Sequence, residues 1–186
     1  MDTQREPRRG RPLDPAVDRA VLSATLELLG EHGYEGLRVA DVAARAGAGL
    51  GSLYRRWPTK RALVLAAFRS LTPEAAADPG ANPRSELLGA LTEISSALVG
   101  PEARVLMSLL AGPDRELADA LRTVKLEPQL ARLRTALQAM LGDVPDLESR
   151  VLLGPALITF HTLVLGHTIS DHELRQEILP HILRPG

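Results

Sequence analysis

The sequence predicts an all-α protein, a small N-terminal helix-turn-helix unit followed by a larger helical body, with about nine helices in all. Three observations carry this. Apolar residues recur at spacings of three and four in every periodic segment, and no stretch alternates strictly with β-branched residues. Two short helical patterns also flank a glycine turn, Gly47-Ala48-Gly49, as a helix-turn-helix requires.

The elements follow in order. Residues 1–13 combine Pro, Gly and Arg without an apolar period and read as a flexible basic arm. Asp14 followed by Pro15 is a good helix start, an N-cap with proline at the first helical position. Val17, Ala20, Val21, Ala24 and Leu28 then give an amphipathic helix of about four turns, expected to stop before Gly30 and Gly33. Val39, Val42, Ala43 and Ala46 mark a second helix of barely two turns. A third runs from Leu50 to about residue 56, and Thr59 caps a fourth from Lys60 to about Leu71, with Leu63, Ala66, Ala67 and Ser70 on one side.

Residues 72–83 hold three prolines and a glycine and read as a linker. Further helices are expected near 84–99, 102–111, 114–141, 146–165 and 172–183. Pro128 must kink or divide the third of these, and Gly154-Pro155 should bend the fourth.

Composition narrows the function classes. The chain has 186 residues, no cysteine and a formal net charge of −1. Thiolate catalysis, cysteine-based zinc sites and redox switching are therefore excluded. No apolar run approaches the roughly 18 to 20 residues of a membrane span, and the N-terminus lacks a secretory apolar region, so the expected location is the cytoplasm. No nucleophile elbow, Walker loop, dinucleotide fingerprint or HExxH pattern occurs, and neither catalysis nor a cofactor is expected. His161, His167, His172 and His181, with Asp171 and Glu173, could ligate a metal in principle. His167 and Asp171 straddle an expected turn, however, and no metal site is assigned.

The net charge hides two unlike parts. Residues 1–61 carry 11 basic against 8 acidic side chains, and residues 62–186 carry 11 against 15. Arg5, Arg8, Arg9 and Arg11 crowd one end of the basic part, and Arg55, Arg56, Lys60 and Arg61 the other, a pattern that suits a polyanion such as DNA. Among the 22 basic residues only Lys60 and Lys125 are lysine.

Within the third helix, Leu53 and Trp57 lie four apart and can face the core, leaving Ser52, Tyr54, Arg55 and Arg56 outward. Gly51 and Ser52 are small enough for close approach of the helix start to a groove about 12 Å wide. Tyr54 can lay its ring over the core and point its hydroxyl at a phosphate. Arg55 and Arg56 point about 100° apart, so one of them can reach a guanine edge while the other pairs with phosphate or an acid.

Gly33-Tyr34, Val39, Val42-Ala43, Arg45-Ala46-Gly47 and Leu53-Tyr54-Arg55-Arg56-Trp57-Pro58-Thr59-Lys60-Arg61-Ala62-Leu63 together resemble the DNA-binding domain of TetR-family transcriptional regulators (TetR/AcrR type). The resemblance covers about residues 14–68, with the Arg8-Arg9-Gly10-Arg11-Pro12 arm before it. It implies a helix-turn-helix DNA-binding domain at 14–61 and a ligand-binding and dimerisation domain at 62–186. It further implies that the third helix is the recognition helix, with Tyr54 and Lys60 as phosphate contacts. Two positions depart from the family pattern. Leu37-Arg38 replaces a Ser or Thr cap, so Arg38 becomes a candidate phosphate contact. Leu50 replaces a frequent lysine and either packs or touches a thymine methyl. Arg8, Arg9 and Arg11 suit either a solubilising tail or a minor-groove arm.

The resemblance also implies a homodimer through the last two long helices, near 146–165 and 172–183, which would bind a palindromic double-stranded operator. Residues 151–165 are apolar nearly all round and need cover on two sides. A pocket between the fifth to eighth helices would draw on Leu91, Leu106, Met107, Leu110 and Phe160, with Arg104, Thr159 or His161 as polar contacts; any of the apolar five could equally be plain core. Only Phe68 and Phe160 are aromatic after residue 61, which favours an aliphatic or mixed hydrophobic effector. The expected function is a repressor released from DNA by such an effector. The alternative is a helical ligand-binding or interaction protein without specific DNA binding.

Overall fold

The computed structural model describes residues 15–71 and 82–184, and every regular element among them is helical. The basic arm with Arg8, Arg9 and Arg11, the Asp14 cap and most of the linker lie outside the described residues. In chain order the helices are α1 (Pro15–Gly36), α2 (Val39–Arg45), α3 (Leu50–Arg56), α4 (Lys60–Ser70), α5 (Pro83–Val99), α6 (Pro101–Leu110), α7 (Arg115–Leu121), α8 (Glu127–Leu141), α9 (Leu147–Thr159), α10 (Asp171–Glu173) and α11 (Leu179–Leu183). Three five-residue π turns join or extend them. Arg122–Leu126 links α7 to α8, Phe160–Val164 prolongs α9, and Leu174–Ile178 links α10 to α11. Counted as continuous rods, the described residues form nine helices, and the all-α expectation holds.

Two expectations need correction. The first helix does not stop at Gly30. It runs through Gly30 and is broken at Gly33, as expected there, where a φ of 66° in the region that favours glycine separates it from a last helical piece ending at Gly36. A glycine inside a helix lowers its stability by only about 1 kcal/mol, less than packing on both sides restores. The buried side of α4 is Leu63, Val64, Ala67 and Phe68, and Ser70 is exposed, because α4 is covered by both α1 and the body.

Pro128 does divide the long segment around it. It falls in the first turn of α8, where its missing N–H costs no helical bond, and the π turn before it absorbs the break.

Two apolar cores organise the chain. The first gathers α1 to α4 around Val21, Leu28, Leu53, Leu63 and Phe68, and also takes in Leu106 and Leu109 of α6 and Leu117 and Leu121 of α7. The second packs α5, α8, α9 and the α10–α11 rod around Leu91, Leu133, Ile158, Leu174 and Ile182. Gly154 lets α9 approach α5 and α11: a Cβ there would stand 2.6 Å from Leu91 Cδ2 and 3.0 Å from Ile182 Cδ1. α6 contributes to both cores, Leu106 and Leu109 to the first and Ala103 to the second, and an ion-paired joint ties α4 to α7 within the first. Arg61 at the start of α4 reaches Glu116 (2.6 Å) and Asp114 (3.3 Å) at the start of α7. Asp114 also accepts the Leu117 N–H (2.9 Å), and that cap, followed by Arg61, holds its carboxyl below the usual carboxylate range.

Candidate nucleic-acid interface and interior cavity

The helix-turn-helix is held by short-range packing. α2 buries Val39, Val42 and Ala43, and its N-cap Arg38 makes no side-chain cap, leaving the guanidinium exposed. Gly47, at φ 62°, turns the chain, and the Ala48 N–H donates to the Ala43 carbonyl (2.9 Å). Arg45 fixes α2 to α1 through Glu31, with two nitrogen–oxygen contacts of 3.1 Å, and through Glu27 at 3.3 Å. α3 is seven residues long, too short to stand without such support. Leu53, 2% exposed, and the half-buried Trp57 anchor it to the first core.

That anchoring decides what faces outward. Tyr54 is 47% exposed and Leu50 40%, Arg55 and Gly51 are exposed, and Ser52 is partly so. A Cβ on Gly51 would meet only Arg55 Nη1, at 3.9 Å, so the start of α3 is open to close approach. The two arginines divide. Arg56 is ion-paired with Asp18 of α1 and lies 6.0 Å from the centre of the Trp57 ring, so it fastens the end of α3 to the head. Arg55 has no side-chain partner among the described residues. Lys60, expected at a phosphate, is committed in part: its Nζ donates to the Tyr34 carbonyl (2.8 Å) and sits 4.4 Å from the Tyr34 ring centre. An ammonium has three donors, so two remain.

In the body, a cavity of about 730 Å³ opens between the end of α4, α5, α6, the π turn before α8, and α9 with its extension. Its walls are almost wholly aliphatic, with Leu98, Leu106, Met107, Leu126 and Leu130 prominent, plus Phe68 and Phe160. Of the residues singled out from sequence, Leu106, Met107, Thr159 and Phe160 stand in this wall. Four others are placed elsewhere. Leu91 is fully buried against Gly154 in the second core, and Leu110 packs on the first. Arg104 is exposed on α6. His161 turns toward His167, with ring centres 6.0 Å apart, and His167 in turn meets Glu173 at 2.7 Å. Sequence reasoning passed over Lys125, a buried lysine in the cavity wall, although it is one of only two lysines in the chain. A second depression of about 660 Å³ lies between α1, the end of α4 and α6, bordered by Arg19, Glu27, Glu31 and Glu102.

A short helix buried through Leu53 and presenting Ser52, Tyr54 and Arg55, carried on a helical body with an apolar cavity, defines a helix-turn-helix protein of the reading-head-and-body class. Residues 21–67 match the family model of bacterial regulatory proteins, tetR family. An HTH-type transcriptional regulator of Mycobacterium tuberculosis, Rv1556, is 38% identical over 135 residues, 69% of this chain. The match spans 66% of that relative's own length, just short of two thirds. The HTH-type transcriptional regulator YdeS of Bacillus subtilis is 26% identical over 180 residues, covering 92% of this chain and 91% of the relative. Among solved structures, the transcriptional regulator FadR of Bacillus subtilis in complex with stearoyl-CoA superposes with a TM-score of 0.68 over 89% of this chain and 97% of its own, at 16% identity. The chain belongs to the TetR family of bacterial transcriptional regulators.

Proposed function

We propose that the protein is a homodimeric repressor that binds a palindromic operator through α3 and leaves it when a small hydrophobic effector fills the open apolar cavity of the body. The observation that carries the DNA half is the outward set Ser52, Tyr54 and Arg55 on a helix whose opposite face is locked by Leu53 and Trp57. Arg55 is the base-reading arginine, because Arg56 is engaged with Asp18. Tyr54, Lys60 and Arg38 contact phosphate, Gly51 and Leu50 lie against the groove, and Arg8, Arg9 and Arg11 are candidates for a minor-groove arm.

Dimerisation is supported by a stripe on α9 and its extension. Leu152 (53% exposed), Ala156, Phe160 (51%) and Val164 (65%) recur every fourth residue and present an apolar face to solvent in a single chain. The α10–α11 rod buries its own apolar side against the second core and exposes the polar His172, Arg175, Gln176 and Glu177.

The effector half is supported by the cavity and by Phe68. This side chain is fully buried in the first core and also forms part of the cavity wall, so a ligand there presses on α4 directly. An effector acts only if it binds better to the arrangement whose recognition helices miss adjacent grooves, about 34 to 36 Å apart. The fold of FadR holds stearoyl-CoA, so this architecture accommodates a long acyl chain.

Fluorescence anisotropy with the intergenic DNA beside the protein's own gene, against a scrambled duplex, tests autoregulation. Binding no tighter to the first than to the second would remove it. The contacts have separate signatures. Arg55→Ala is expected to cost about 1–3 kcal/mol of discrimination at one base pair. Tyr54→Phe and Lys60→Ala should weaken all sequences alike, and Lys60→Ala should flatten the salt slope by about one unit. A salt slope unchanged by Lys60→Ala would leave Lys60 only its bond to Tyr34.

A further inference from the structure

The exposed stripe on α9 and its extension also forms part of the cavity wall. Leu152, Ala156, Phe160 and Val164 recur every fourth residue, stand exposed in the single chain, and all line the cavity. The facing wall is rooted in packed structure, where Leu98 and Leu106 are buried and Met107 leans on the second core. A space of about 730 Å³ therefore has one wall held firmly and one left in water. A pocket that retains a small apolar ligand covers roughly 70 to 90% of its surface. The described residues of one chain do not supply that cover on the α9 side.

We infer that the effector site is completed by a second copy of this chain, whose own stripe roofs the cavity across the two-fold axis, so that a bound ligand touches both subunits. This rests on the proposed dimer and on the cavity as the effector site, and adds that the two are one site. A second copy fits this face because residues 151–165 contain no Asp, Glu, Lys or Arg. In a two-fold contact each stripe meets its own likeness, and an uncharged stripe does so without repulsion. Reciprocity then fixes the consequence. If the dimer holds the ligand more tightly than a lone subunit does, the ligand tightens the dimer by the same free energy, once for each of the two cavities. A ligand held between the subunits is also placed to change the angle between them, which sets the spacing of the two α3 helices.

The inference is tested by analytical ultracentrifugation of the full chain over a dilution series, without and with decan-1-ol, a neutral alkyl probe brought to saturation as judged by calorimetry. The dimer dissociation constant is expected to fall about ten-fold or more when the alcohol is bound. If the free dimer is too tight to dilute apart, exchange of subunits between two fluorophore-labelled preparations should slow by about ten-fold or more. Met107→Trp fills the cavity from α6, away from the stripe, and should abolish the response to the alcohol. A response that persists in this variant would put the alcohol outside the cavity and overturn the inference. Bound alcohol with an unchanged dissociation constant or exchange rate would overturn it while leaving both the dimer and the effector cavity standing. A raised constant would overturn it too, because the ligand would then wedge the copies apart. A chain that binds the alcohol and stays monomeric would overturn it together with the homodimer, and a dimer that binds none would overturn it together with the cavity as an effector site.

Discussion

A chain carrying Leu152→Glu and Phe160→Glu is expected to sediment as a monomer at micromolar concentration and to lose about a hundred-fold or more in affinity for a two-half-site operator. Both side chains are more than half exposed in the single chain and border the open side of the cavity, not either core, so the double variant alters the cavity rim but leaves the two cores intact and its helical circular dichroism unchanged. In the proposed dimer the same positions bury apolar surface against a second copy, and four carboxylates introduced across a two-fold axis would repel one another while losing water. With one head per particle, the second half-site no longer binds as an intramolecular event, and that accounts for the size of the loss. A dimer that survives both substitutions would place the interface off the Leu152–Val164 stripe.

The second large effect is Phe68→Ala, expected to cost about 3–5 kcal/mol of stability and to lower Tm by about 10 °C. Phe68 is fully buried at the contact of α4 with α1 and lines the cavity from the other side. Removing the ring takes away the transfer free energy of the largest fully buried side chain and joins a void to an existing one, which limits collapse. A thermal melt reads the effect, and a loss below about 1 kcal/mol would show that α4 is not fastened to the head through this residue.

Much of this was legible in the sequence because local signals and tertiary packing agree there. Thr59 caps α4 as its position before Lys60 implied, accepting the Ala62 N–H (3.0 Å). The Gly47 turn and the Leu53–Trp57 anchor follow from spacing alone. Gly30 misled, because a glycine on an exposed helical surface ends a helix only if nothing beyond it packs. Here α1 continues to the turn where Tyr34 meets Lys60.

The division of labour between Arg55 and Arg56 needed Asp18, a residue 38 positions away from Arg56 and reachable only through the fold. The cavity was the hardest part. Leucines at helical spacing look alike whether they fill a core, as Leu91 does, or line a void, as Leu106 does. Lys125 escaped because a π turn shifts the helical face by about one residue, roughly 100°, and no periodicity records that shift. The available signal was its rarity, a lysine beside Leu126 and three residues before Pro128 in a chain whose cations are otherwise nearly all arginine.

On the proposed reading, two copies of this head read a symmetric DNA sequence through α3. The most direct measurement is selection of bound duplexes from a random pool by the purified full-length protein, followed by sequencing. Enrichment of an inverted repeat with half-sites about one helical turn apart, lost with Arg55→Ala at one position of each half-site, is the expected result. A pool that emerges with no motif enriched over the input would contradict the claim, and would leave the head as a fold that holds DNA without reading it.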